Sequence, residues 1–124
     1  MPPIKFKLIF FTPRANTKAI LDHLFDTQPQ SVGGYDKYSR CAFVSPGIGE
    51  LKSLSISLGQ FLPGPGSNPT IGEPGKMEYV EEDRVEVQVV DKGERIELKK
   101  AVEELKKVHP YEEVAYEVHR LEDI

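Results

Sequence analysis

The 124-residue chain has no tryptophan and a single cysteine, Cys41, so no disulfide can close within it. A small domain without disulfides must be held by a packed core. The 39% apolar content suffices for one core, though not a large one. No apolar run approaches the roughly 20 residues a membrane-spanning helix requires. The start, Met1-Pro2-Pro3-Ile4-Lys5, lacks the basic, apolar and small-residue segments of a secretory signal. Excess positive charge is also missing: the formal net charge is -4, and the lysines are interleaved with glutamates. A nucleic-acid-binding domain needs a basic face or stripe. A phosphate-cradling loop is absent too, because Gly75-Lys76 is followed by Met77 rather than Ser or Thr. Asn68-Pro69-Thr70 is no glycosylation site, having proline in the middle position. These absences lead us to expect one domain over residues 1–124 in the reducing cytoplasm, with neither nucleic acid nor a membrane as partner.

Two stretches stand out from this background. His109-Pro110-Tyr111-Glu112-Glu113-Val114-Ala115-Tyr116 puts a histidine, two tyrosines and two carboxylates into eight residues. Gly59 to Gly75 holds five glycines and four prolines in seventeen residues, which neither a helix nor a central strand accommodates. Phe61, Leu62 and Ile71 set the second stretch apart from a flexible linker. It reads as an ordered excursion that packs its own apolar residues.

Around these stretches the pattern alternates between two periods. Ile4 to Phe11 reads as a strand, with Ile4, Phe6, Leu8 and Phe10 on one face and Lys5, Lys7, Ile9 and Phe11 on the other. Thr12 and Pro13 break it, and Thr12, Asn16 or Thr17 is placed to cap a helix running to about Phe25. That helix has an apolar stripe of Ala19, Ile20, Leu21, Leu24 and Phe25. His23 reads as a surface histidine near Asp22 and Asp26. A loop containing Gly33-Gly34 leads to a second strand, Arg40 to Ser45, in which Cys41 is a small packing residue. Leu51 to Leu58 reads as a short strand or a flap. Lys76 to Val90 is a long strand or a pair of strands, with Val85, Val87 and Val89 alternating with Glu86 and Gln88. The acidic run before it, Glu78, Glu81, Glu82 and Asp83, reads as a solvated edge that discourages aggregation. Glu94 to Val108 is a helix with Leu98, Ala101, Val102, Leu105 and Val108 on one stripe and a Glu103–Lys107 pair opposite. Pro110 ends it, and Val114, Tyr116 and Val118 mark the last strand. The order predicts an α+β fold of ferredoxin-like βαββαβ type. Its antiparallel four-stranded sheet has two helices on one face, plus the Gly/Pro-rich excursion. The opposite face, with Ile9, Phe11, Cys41 and Phe43, is half apolar and suits self-association.

Four stretches together carry a resemblance. They are Gly33-Gly34-Tyr35-Asp36, Gly59-Gln60-Phe61-Leu62-Pro63-Gly64, Asn68 to Glu78, and His109 to Tyr116. In this order they resemble the inserted domain of the Nif-three-like proteins, a module that also occurs as a short stand-alone protein. That module is similar in fold to CutA and the PII signalling proteins. The resemblance runs from about Gly33 to Asp123 and implies a PII/CutA-like domain that associates, often as a trimer. In full-length Nif-three-like proteins a pair of metal ions is bound by flanking α/β domains through His, Asp and Glu. None of His23, His109 and His119 lies in those metal motifs, so hydrolase activity does not carry over. The family usually has arginine where this chain has Leu62, which weakens an anion-binding role for that loop.

Three functional readings follow. The first is a non-enzymatic, oligomeric module that binds a small molecule or a protein partner through Tyr35, Asp36, His109, Tyr111, Glu112 and Glu113, with Phe61 and Gly72 from the excursion. It requires no cofactor. A structural reading stands beside it: Pro110 orients the last strand, the Tyr111 hydroxyl ties down the Gly/Pro loop, and Glu112 or Glu113 accepts backbone N–H groups. The second is binding of a divalent metal, zinc or copper, by His109 with Glu112, Glu113 or Asp36; the leading ligand pair is His109 and Glu112. A His followed three and four residues later by Glu is not a closed metal site, which requires three or four ligands. The third is a hydrolase-type enzyme with sites between subunits, in which His109 acts as general base. No paired nucleophile, oxyanion-hole motif or cofactor fingerprint accompanies it.

Overall fold

The computed structural model describes residues 2–45 and 58–124. The Leu51 to Leu58 segment lies outside the described residues except for Leu58. Strand β1 runs Ile4–Pro13, and a single 3-10 turn, Arg14–Asn16, leads into helix α1, Thr17–Thr27. Then come β2, Phe43–Ser45, β3, Leu58–Phe61, and the long β4, Glu78–Asp91. Helix α2, Ile96–Val108, and strand β5, Tyr116–Arg120, complete the chain.

The sheet is antiparallel throughout, with β1 between β4 and β5 and with β2 on the far side of β4. This is the expected ferredoxin-like arrangement with one modification. The edge position beside β4 is shared by separate pieces of chain. Val32 bridges to Val89, β2 pairs with Arg84 to Glu86, and β3 pairs with Glu78 to Glu81. β4 accepts all three because its 14 residues outrun each of these short segments. The second strand is shorter than Arg40 to Ser45 because Arg40 adopts a left-handed φ of 57°. There its guanidinium reaches Asp26 and Asp22 on α1 at 2.8 and 3.2 Å and lies over the Phe25 ring.

Strand parity determines the core. Phe6, Leu8 and Phe10 pair with Val89, Val87 and Val85, and all six side chains are buried against the helices. Ile20, Leu24 and Phe25 meet them from α1, and Leu98, Ala101 and Leu105 from α2. Ala19, expected on the apolar stripe of α1, is exposed. Removing a side chain such as Leu8 would cost on the order of 2–5 kcal/mol.

The first helix is not capped as the sequence suggests. Asn16 makes no capping bond, the Thr12 hydroxyl bonds the Pro13 carbonyl, and the Thr17 hydroxyl donates to Asp83 at 2.5 Å. The start of α2 is held by Asp91, the last residue of β4. Its carboxylate is fully buried and accepts the N–H groups of Gly93, Arg95 and Leu98 at 2.7, 2.9 and 2.9 Å. Burial alone would raise its pKa, but the surrounding backbone N–H donors outweigh this and hold it below the usual carboxylate range.

Asp91→Ala leaves those donors unsatisfied, so urea denaturation at pH 7 should show a loss of about 3 kcal/mol. Because the folded pKa is depressed, the penalty is complete above the unfolded value of about 3.9 and shrinks as pH falls through the folded value. A loss no larger than that of an exposed substitution such as Asp26→Ala would contradict this role.

Candidate functional site

His109 follows the last turn of α2 in an extended conformation, which Pro110 enforces. This turns its ring back under the sheet, where it is buried. Nε2 lies 2.7 Å from the Phe11 carbonyl and donates to it, and Nδ1 accepts the Tyr111 N–H at 3.1 Å. A carbonyl can only accept and an N–H can only donate, so the ring is the neutral Nε2–H tautomer. Burial pushes its pKa below the ordinary value, against smaller opposing effects of the Phe11 carbonyl and the Glu82 carboxylate.

The turn that follows builds one wall of a cleft. The Tyr111 ring packs near the His109 ring, with centroids 5.0 Å apart, and its hydroxyl donates to Glu82 on β4 at 2.8 Å. Burial first, and Glu82 second, raise the tyrosine pKa above its usual range. The opposite wall is the Gly/Pro-rich stretch. It is fastened to the turn by Thr70, whose hydroxyl donates to the Pro110 carbonyl at 2.5 Å, and by the Asn68 N–H, which donates to Glu112 at 2.9 Å. The loop closes on itself through the Gly75 N–H and the Pro63 carbonyl at 2.8 Å. Between the walls lies an open cavity of about 410 Å³, within the range of roughly 300–1,000 Å³ typical of small-molecule sites. Phe11, Leu62, Ile71 and Tyr111 give it an apolar lining, and Glu82, Glu112 and Glu113 give it carboxylates.

Of the residues singled out in the sequence, Tyr111, Glu112 and Glu113 line this cleft and His109 supports it from behind. Tyr35 does not join them. It lies beside a smaller hollow of about 160 Å³ with Lys7, Cys41 and Phe43, and Asp36 is exposed in the same loop. Gly72 is exposed with φ 87°, a conformation that suits glycine in a turn, and it is not among the cleft residues. The backbone of Phe61 belongs to β3, and its side chain lies outside the described residues. The Tyr111 hydroxyl bonds Glu82, while Glu112 ties down the loop by accepting a backbone N–H.

The acidic run is not simply a solvated edge. Asp83 is buried, bonded to Thr17 and ion-paired with Arg14 at 3.4 Å, and Glu82 enters the cleft. His23 bonds Glu104 on α2 at 2.9 Å rather than Asp22 or Asp26. Sequence reasoning missed Glu82, Phe11 and Thr70 as cleft residues. Parity offered a signal for Glu82: if Val85 and Val87 face the helices, residue 82 faces the other side.

Among the described residues, no three or more His, Cys, Asp and Glu side chains gather as a metal-binding group. No helix among them is long and apolar enough to cross a membrane.

No protein-family model matches the chain. It is 34% identical over 116 residues to the GTP cyclohydrolase 1 type 2 homolog of Halalkalibacterium halodurans, covering 94% of this chain and 27% of that protein. The Bacillus subtilis protein of the same name is 34% identical over 120 residues, covering 97% of this chain and 27% of its own. The chain thus spans about a quarter of the length of these curated relatives. Among solved structures, a Bacillus cereus protein related to NIF3 superposes with a TM-score of 0.68 at 25% identity, over 99% of this chain and 26% of that one. CutA1 from Oryza sativa superposes with a TM-score of 0.59 at 12% identity, over 98% of this chain and 84% of that one, a likeness of fold alone.

Because His109 has a lowered folded pKa, its contribution to stability is complete above the unfolded value of about 6.5 and is lost as pH falls through that value toward the folded one. The wild type should therefore lose stability between pH 7 and 5 more steeply than His109→Gln, measured by urea denaturation. Parallel pH profiles would contradict the buried neutral ring.

Proposed function

We propose that this chain, related in sequence and fold to one segment of the Nif-three-like proteins, is a non-enzymatic module that binds a small ligand or a partner segment. The observation that carries this reading is the construction of the cleft. Two unusual stretches, far apart in sequence, are fastened by Thr70–Pro110 and Asn68–Glu112 bonds, and the space between them stays open. His109 supports a binding role over a catalytic one, since both its ring nitrogens are engaged within the chain. The hydrolase reading, with sites between subunits, lacks that support.

The name of the curated relatives refers to whole proteins about four times as long, so no cyclohydrolase step is assigned to this segment. We place the module in the cytoplasm as a homo-oligomer, a trimer by its resemblance to PII and CutA proteins. The exposed Phe43 on the open sheet face, 65% accessible, supports association. Divalent metal, zinc or copper, is the second reading, with His109 and Glu112 as its leading ligands. His109 would join only by giving up its bond to Phe11 or Tyr111.

In a two-dimensional NMR titration with a panel of nucleotides and metabolites, a ligand should shift amides of residues 62–71 and 111–115. Thr70→Val should weaken that response severalfold. A complete lack of shifts across the panel would count against the binding module. Light scattering should give a trimer both with chelator and with zinc or copper. A monomer, or an assembly that forms only with metal, would favour the metal reading. Less than about a tenth of an equivalent of metal in protein purified without chelator would remove it, four protein ligands being usual for a structural zinc site.

A further inference from the structure

We propose that the cleft selects a small organic cation, an amine carried on an apolar body. This rests on the binding reading above and adds the chemical class of ligand. Among the described residues, the cleft is lined by three glutamates, Glu82, Glu112 and Glu113, and by no lysine, arginine or histidine. Arg14, beside this end of β4, is ion-paired with Glu81 and Asp83 at 3.6 and 3.4 Å and is not a cleft residue.

The carboxylates also keep acceptor capacity. Glu112 uses Oε1 for the Asn68 N–H, and Glu82 uses Oε2 for the Tyr111 hydroxyl, which leaves the second oxygen of each for a ligand. Their bound oxygens fix the orientation of both side chains. The remaining lining is apolar on both walls: Phe11, Tyr111 and Ala115 on one, Leu62, Pro63, Pro69 and Ile71 on the other. Most of the ligand surface thus meets hydrocarbon, while its charge meets carboxylates in a partly desolvated setting, where an ionic hydrogen bond is stronger than in water. A phosphate or carboxylate ligand would meet like charge, and the hydroxyl donors among the described cleft residues, Ser67, Thr70 and Tyr111, are already committed, Tyr111 to Glu82. Thr70 already donates to Pro110, and Ser67 to the Gly64 carbonyl at 2.7 Å.

The experiment compares three probes of matched size, 2-phenylethylammonium, 2-phenylethanol and phenylacetate, by NMR titration of the full chain. The amine should bind at least about tenfold more tightly than the alcohol, as one charge-assisted hydrogen bond implies, with phenylacetate weakest. Glu113→Gln, at an exposed position that bonds no other side chain among the described residues, should remove several fold of that preference while leaving the spectrum of the folded chain in place. Added salt should weaken the amine and spare the alcohol. Equal binding of amine and alcohol at residues 62–71 and 111–115, or a preference for phenylacetate, would overturn the cation inference and leave the binding module standing. Absence of binding by all three would overturn the inference here, and the broader metabolite panel would then decide the module separately. Zinc bound at Glu112 in preference to the amine would also overturn it.

Discussion

The structure depends on one buried imidazole. His109 joins the end of β1 to the turn after α2, by donating to the Phe11 carbonyl and accepting the Tyr111 N–H. The Tyr111 bond needs the neutral ring, because a protonated Nδ1 could not accept it, and the Phe11 carbonyl holds the remaining proton on Nε2. With the ring in place, Tyr111 is directed toward Glu82, Pro110 presents its carbonyl to Thr70, and Glu112 reaches Asn68. A loop rich in glycine and proline has little secondary structure to order it. Here the order comes from the turn it leans on.

This accounts for the otherwise unusual composition of the two stretches. Proline in the loop restricts the unfolded chain and lowers the entropy lost on ordering. Glycines let the backbone turn sharply, as at Gly72 and Gly75 with φ 87° and 85°. On the other side, Pro110 stops α2 at the point where His109 can turn beneath the sheet. The consequence is a cleft whose walls are set by backbone and side-chain bonds rather than by close apolar packing, so the space between them remains available.

The fold was largely legible in the sequence because its signals are periodic. Val85, Val87 and Val89 announce β4, and Leu98, Ala101 and Leu105 announce α2; both patterns report burial directly. The cleft was legible only in part. Tyr111, Glu112 and Glu113 stood out by composition, but Tyr35 and Asp36 were grouped with them although no periodicity related the two loops. In the fold these loops lie along different parts of the sheet. Glu82 and Asp83 were read together as a solvated edge because they are adjacent and acidic. Adjacent residues in a strand face opposite sides, so Asp83 enters the structure beside Thr17 and Glu82 enters the cleft. Asp91 gave no capping signal, since a carboxylate five residues before the first residue of the helix lies outside the usual capping positions.

The central claim is that His109 orders the distant Gly/Pro-rich loop through the turn. Native-state hydrogen exchange in His109→Asn tests it most directly. The account predicts faster exchange at both the Tyr111 and Asn68 amides, while the Val85 and Val87 amides in the sheet keep their protection. Acceleration at Tyr111 with Asn68 unchanged would show that the loop is ordered independently of the imidazole and would contradict the account.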